Sequence, residues 1–441
     1  MKIKRVMAYP NLKIVLSLFL ILILPAVKAQ KVLTLDDAIR MTMKNNFDIL
    51  ISKNDADIAR VNNTPGNAGM LPTVAFTGTA SYSESKASQK TGSGTVNDYP
   101  ALSGSSLTAG VQLNWNLFDG GKMFVTKSKL NEIQSLGEIQ FKDRVMQTLF
   151  NVIAAYYDVV RQKQQLNSIN EALNYNRDRV TIAQAGFNAG SLLKSDLLQA
   201  KIDLNVTTEN AINQQFAIDA AIKTLNQLLG KNYDESIETS DSIPLGYSPD
   251  KAGLLKKVNS SNTSILNFQK QIDIARLALK ESRSFYLPTL SFKAGYYASQ
   301  STNSAGTILN SNSMGPQVGG TLVIPIYSAG ETKRKEATAK IQLQSAEYDL
   351  QNIKLQVNTE LSNMLTEFDN QQKLLDIETE NNELAKENIQ ISIDRLKHGQ
   401  TTSLEVHMAQ EDYVQSSTRL INFRYNLKLA ETKLKQLVST L

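Results

Sequence analysis

Four stretches of the chain alternate apolar and polar residues, and two far longer stretches repeat apolar positions every three or four residues. In the first alternating pair, Val74, Phe76, Ala80 and Tyr82 interleave with Thr73, Ala75, Thr77, Thr79 and Ser81. Its partner interleaves Leu107, Ala109, Val111, Leu113, Trp115 and Leu117 with Thr108, Gly110, Gln112, Asn114 and Asn116. Between them lies a polar, glycine-rich loop, Lys86 to Ser105. The second pair does the same: Leu290, Phe292, Ala294, Tyr296 and Ala298, then Val318, Gly320, Leu322, Ile324 and Ile326. Strands of about ten residues, apolar on one face and polar on the other, are what a membrane-spanning hairpin needs. The pattern predicts hairpins at about 73–118 and 289–327.

The longer stretches run from Gly121 to Gly190 and from Gly330 to Gly399, two spans of identical length. The ten prolines all lie outside 101–243 and 326–441, so both spans can be helical without a break. Met146, Leu149, Phe150, Ile153, Tyr156, Tyr157 and Val160 form one apolar stripe; Val357, Leu361, Met364, Leu365, Phe368 and Leu375 form its counterpart. At about 1.5 Å per residue, each helix would reach roughly 100 Å, beyond any globular domain. The prediction is a long helix over 121–187 returned by one over 191–229, and another over 330–396 returned by one over 402–438.

These elements are two copies of one unit. Asp57-Ile-Ala-Arg60 returns as Asp273-Ile-Ala-Arg276 and Leu71-Pro72 as Leu287-Pro288, both at one offset in numbering. From the second hairpin onward the offset is shorter by seven and stays constant through Gly330 and Gly399. The seven missing positions fall in a hairpin loop, where length change is tolerated. Repeat 1 spans 30–230, a connector 231–249 and repeat 2 250–441. Each repeat opens with a helix, roughly 34–62 and 250–285, which docks beside the long helix where the shorter return helix does not reach. The connector packs at the same level.

Four strands with no second layer make a soluble sandwich the weaker alternative. No open sheet edge survives in lipid, and four strands cannot close a barrel, so several copies must share one. The fold class is mainly α with a membrane β-barrel, and the assembly is a homo-oligomer.

Charge adds little to this picture. Formal net charge is +5, but Lys2, Lys4, Arg5, Lys13 and Lys28 lie within positions 1–29, which hold no acid; without them 42 bases face 42 acids. A basic start, an apolar run from Ile14 to Leu24 and the exit Val27-Lys28-Ala29 predict a secretory signal over 1–29. The balanced remainder gives no reason to expect nucleic acid. There is no cysteine, and the only histidines are His398 and His407, so neither disulfides nor a structural zinc is expected. No phosphate loop, HExxH or nucleophile triad is present, so no enzyme, metal or cofactor is expected.

In order, spacing and duplication the chain resembles the outer-membrane efflux family, the TolC-like channel proteins. The resemblance rests on Leu33-Thr-Leu-Asp-Asp-Ala-Ile39, Leu71-Pro72, Leu117-Phe118-Asp119-Gly120-Gly121, and the tip Phe187-Asn-Ala-Gly190 followed by Asp196-Leu-Leu-Gln-Ala200. Arg395-Leu396 and Gly399 to Glu405-Val406 form a second, more diverged tip. It implies a homotrimer with a shared 12-stranded barrel in outer-membrane lipid, continued into a periplasmic α-helical tunnel. It also implies passive export of substrate from an inner-membrane pump, of RND or ABC type, joined by a periplasmic adaptor. Efflux and type I secretion both fit. The alternatives are a helical periplasmic scaffold that makes no channel and a simple diffusion porin.

The resemblance places the entrance and gate at Asp196, Gln199, Glu405 and Met408. Asp196 reads as a latch between tips or protomers. Glu405 reads equally as a pore-lining carboxylate and as half of a capping box with Thr402. Met408 stands where the family has a second acid. Adaptor docking falls to Phe187, Gly190, Leu193, Arg395, Leu396, Gly399, Thr402 and Ser403; Leu193 and Thr402 stand where the family has serine. Arg395 also reads as a cation complementing a helix C-terminus. Trp115, Phe118 and Tyr327 are expected in an aromatic girdle at the periplasmic membrane boundary.

Overall fold

The computed structural model describes residues 32–305 and 308–441; the signal segment predicted over 1–29 lies outside them. Two short helices, α1 (Leu35–Asn45) and α2 (Phe47–Asn62), lead into strands β1 (Thr73–Lys90) and β2 (Val96–Asp119). Then come α3 (Lys122–Asn188) and α4 (Lys194–Leu228). Repeat 2 has α5 (Lys251–Ser261), α6 (Thr263–Arg283), β3 (Thr289–Asn303), β4 (Asn310–Val323), α7 (Glu331–Lys397) and α8 (Ser403–Leu437). Helices α3 and α7 have 67 residues each and α4 and α8 have 35 each. The mainly helical, duplicated architecture with four strands is therefore present, and no described helix is long and apolar enough to cross a membrane.

The opening helix of each repeat is broken in two, which the apolar pattern did not predict. The break falls at Asn46 and at Asn262, equivalent positions of the two repeats, and each caps the helix that follows. Asn46 Oδ1 accepts from the Asp48 and Ile49 amides, and Asn262 Oδ1 accepts from Ile265 N at 3.1 Å. The amide nitrogens reach further. Asn46 Nδ2 donates to Leu228 O at 2.8 Å, and Asn262 Nδ2 donates to Leu437 O at 2.9 Å. Each asparagine thus caps the N-terminus of one helix and satisfies an orphan carbonyl at the end of the returning helix.

The cores lie at this level and repeat in register. Val152, Tyr156, Val159 and Leu225 are buried in the first, and their counterparts in repeat 2, Leu361, Leu365, Phe368 and Leu434, are buried in the second. The connector seals it: Ile237 and Ile243 are buried, Tyr156 Oη donates to Leu33 O at 2.8 Å, and Tyr247 packs edge-on against Phe368.

The four strands form one antiparallel sheet in the order β1-β2-β3-β4. Its register keeps the two faces apart: Val74 pairs with Leu113 and Trp115 with Phe292, while Thr73 pairs with Asn114 and Asn114 with Lys293. The first hairpin is longer than ten-residue strands. Strands β1 and β2 have 18 and 24 residues, and most of the expected loop 86–105 is paired strand. Serine, threonine and glycine supply backbone hydrogen bonds without an apolar face, which suffices where a hairpin projects into water on both sides. Strand β4 stops at Val323, short of the expected Ile326, where Pro325 has no amide to donate. Both sheet-to-helix joints turn at a glycine with left-handed backbone, Gly121 (φ 81°) and Gly330 (φ 76°), a conformation costly for other residues.

The helices form one layer. Near the tips the order is α4-α3-α8-α7; near the sheet it is α2-α3-α6-α7. In both levels α7 is one edge, and α4 or α2 is the other.

Candidate functional site

The two tips lie side by side at the far end of this layer, each reversing through a left-handed glycine, Gly190 (φ 73°) and Gly399 (φ 66°). A groove of about 780 Å³ separates them, lined by Ile182, Leu192, Asp196, Leu396, Thr402 and Leu404 among others. Phe187, Leu193, Thr402 and Arg395 are exposed, whereas Leu396 is buried against Ile393 and Val406 within the second tip.

The two acids six positions after the tip glycines do different things. Asp196 Oδ2 accepts from the Leu193 backbone amide at 3.1 Å, so it caps the start of α4, and among the described residues it makes no hydrogen bond to the other tip. Leucine at the N-cap has no acceptor, so among the described residues the carboxylate supplies the side-chain bond there. Glu405 does not complete the capping box. Thr402 Oγ1 accepts from Glu405 N at 3.2 Å, but the Glu405 carboxylate turns back to Arg395 Nη1 at 3.0 Å and to the Thr401 hydroxyl. Arg395 Nη2 also donates to Gln400 O at 3.2 Å. Arg395 thereby clamps both sides of the second turn, and its charged donor outcompetes the amide. Met408 is exposed on α8, and Gln199 Nε2 donates to Asp203 Oδ1 at 2.8 Å.

One turn beyond Gln199 is a buried polar cluster that sequence reasoning missed. Arg179 on α3 is fully buried; its Nη2 lies 3.0 Å from Asp203 Oδ2 on α4 and 3.3 Å from Ser403 Oγ on α8. Asn176 Oδ1 accepts from Arg179 Nη1 at 3.1 Å, and His407 Nδ1 stands 3.3 Å from Asp203 Oδ2. The cluster joins the hairpin of repeat 1 to that of repeat 2. A second tie lies nearby, where Tyr413 Oη donates to Glu171 Oε2 at 2.5 Å. Burial, and then the Glu171 carboxylate, push the Tyr413 phenol well above its ordinary range, so it stays a donor. The only signal in the sequence was a lone arginine on a helix face with no acid three or four residues away.

Farther up, Glu378 on α7 accepts from Arg419 Nη2 on α8 at 2.9 Å. Burial opposes its ionisation, but the hydrogen bond from Arg419 and the Arg419 charge hold the carboxyl below its usual range. Its contribution to stability is therefore complete above the ordinary glutamate range and lost as pH falls through the depressed value. Glu378→Gln is expected to cost on the order of 1–2 kcal/mol at neutral pH. Thermal scans from about pH 7 to about pH 3 should show the gap between variant and wild type closing with acid; a gap independent of pH would contradict this.

At the other end of the layer, Trp115 Nε1 donates to Met70 O at 2.9 Å, and Phe118 and Tyr327 are exposed beside the sheet-to-helix joints. Residues 38–231 and 254–440 match the family model described as outer membrane efflux protein.

The chain belongs to the outer membrane efflux protein family.

It is 25% identical to the outer membrane efflux protein BepC of Brucella suis over 90% of this chain and 83% of that one. It is 23% identical to the alkaline protease secretion protein AprF of Pseudomonas aeruginosa over 71% of this chain and 65% of the relative. Among solved structures, the outer membrane protein VceC of Vibrio cholerae superposes with a TM-score of 0.73 at 17% identity, covering 92% of this chain and 96% of that one. The fold and family are those of outer-membrane channels, which are not enzymes. The protein resides in the outer membrane of a Gram-negative envelope and extends into the periplasm.

Proposed function

We propose that three copies of this chain form the exit duct of a tripartite export system. It passes substrates delivered by an inner-membrane pump, of RND or ABC type, through a periplasmic adaptor. The observation that carries this reading is that sheet and helix layer are both left open on the same two sides. Strands β1 and β4 are unpaired edges, and helices α7 and α4 or α2 are edges of the layer joined to them. A head-to-tail ring closes both at once, with twelve strands above and a tunnel wall below. BepC carries the name of an efflux protein and AprF of a protease secretion protein, so the reading covers either cargo.

The tips then face the adaptor and form the entrance. Phe187, Gly190, Leu193, Arg395, Gly399, Thr402 and Ser403 belong to the docking surface, with Leu396 packed beneath it as support for the second tip; Asp196, Gln199, Glu405 and Met408 lie around the gate. Trp115, Phe118 and Tyr327 form the periplasmic aromatic girdle. Recordings on purified protein in planar bilayers should show a small, mostly closed conductance; a wide, always-open pore would refute the gated tip. Fractionation with carbonate that released the protein without detergent would favour the periplasmic scaffold instead.

Glu405→Gln is expected to weaken the Arg395 clamp and raise the open fraction severalfold, because an amide replaces a charge-assisted partner. An unchanged open fraction and ion selectivity would leave the glutamate a purely local role.

A further inference from the structure

The water-facing side of the sheet is almost free of charge. Since the apolar face of a membrane barrel meets lipid, the face carrying Thr73, Thr77, Gln112, Asn114 and Thr321 lines the bore. Register places Lys293 in this row, flanked by Asn114 on β2 and Gly319 on β4. Its side chain is exposed and has no ion pair among the described residues. The nearest acid on that face is Asp119, which pairs with Thr289 at the rim; its carboxylate accepts from Met123 N at 3.0 Å and caps α3. The remaining strand charges, Glu84, Lys86, Lys90 and Asp98, lie toward the outer end of the first hairpin.

Tyr297 stands two places up the same row. Its ring lies flat along the wall over Gly110 and Gly295, where a Cβ on either glycine would come within 2.5 Å of it. Lys293 is thus an exposed charge without an ion pair among the described residues, in an otherwise polar, uncharged stretch of wall.

We propose that Lys293 gives the membrane section of the duct a ring of fixed positive charge, one ammonium per protomer, that favours anionic over cationic solutes. This rests on the reading of the sheet as part of a shared barrel. Field from such a ring reaches about 10 Å into 0.1 M salt and about 30 Å into 0.01 M, so it acts along the wall in one case and across the bore in the other. Cargo carrying carboxylate or phosphate would be drawn in, and multivalent cations held off.

A chain without cysteine allows a local test. Asn114→Cys, directly opposite Lys293, is reacted in proteoliposomes with two thiosulfonate reagents of similar size, one sulfonate and one quaternary ammonium. In about 0.01 M salt the anionic-to-cationic rate ratio should fall about fivefold when Lys293→Gln is added, and the difference should vanish near 1 M. Lys293→Ser should behave as the glutamine does, and Lys293→Arg should keep the original ratio. A ratio indifferent to residue 293 overturns the charge ring while leaving the barrel intact. If Leu113→Cys, on the opposite face, reacts as fast as Asn114→Cys, the barrel reading itself fails.

Discussion

Replacing Arg179 with methionine should cost about 3–5 kcal/mol per protomer, seen as a lowered thermal transition and a reduced yield of assembled protein. The guanidinium is buried and meets Asp203 at 3.0 Å, and Asp203 is itself nearly buried. Removing the cation leaves a nearly buried carboxylate with the Gln199 amide and His407 as its remaining polar neighbours. That is far worse than losing an exposed pair such as Arg60 with Asp57, worth about 0–1 kcal/mol. Buried pairs are expensive to break singly and cheap to replace together, since their desolvation offsets much of their attraction. Arg179→Met with Asp203→Leu should therefore recover most of the loss. If the single variant melts with wild type, or the double is as damaged as the single, the pair is not a buried charge couple.

This cluster also marks where the sequence stopped being informative. The duplication was legible because proline-free spans, bounding glycines and alternation are one-dimensional signals, and each recurred at a fixed offset. Strand faces were legible because side chains alternate strictly, so Trp115 and Phe292 both fell on the apolar face; that they pair across β2 and β3 came from the structure. Partners from distant helices were not. Arg179 and Asp203 are 24 residues apart across a helical turn, and Ser403 comes from the other repeat. The breaks at Asn46 and Asn262 were hidden for the same reason. Asparagine alone does not end a helix, and the carbonyls that make a break favourable, on Leu228 and Leu437, come from a returning helix. At the second tip a local rule did point to a capping box, but an arginine ten residues earlier offered Glu405 a stronger partner than a backbone amide.

The largest effect on assembly is expected from the open edge of α7. Ile341, Tyr348 and Leu355 are spaced by seven, as are Ile377, Leu384 and Ile391, and all six are exposed in the single chain. A seven-residue repeat keeps apolar groups on one side of a helix, the arrangement of a coiled-coil seam awaiting a partner. The opposite edges carry matching groups: Leu198, Ile202, Ile212 and Phe216 on α4, and Phe47, Ile51 and Ile58 on α2. Burying one such side chain is worth about 1.5–3 kcal/mol, and a ring of three copies repeats each contact three times. Leu384→Asp with Ile391→Asp replaces two of those contacts by carboxylates that must be dehydrated against α4 of the neighbour, while touching nothing in the protomer's own core. The double variant should be folded by circular dichroism yet run as a monomer on native gels in detergent, with no channel activity. Persistence of the wild-type oligomer would show that α7 is not the closing edge. Sheet closure depends on the same event, because the outer edge of β4 has no partner until the neighbouring β1 arrives, and an unclosed sheet leaves its edge amides and carbonyls unpaired in hydrocarbon. A defect introduced far down α7, most of a helix of roughly 100 Å away from the barrel at about 1.5 Å per residue, should therefore also reduce membrane insertion.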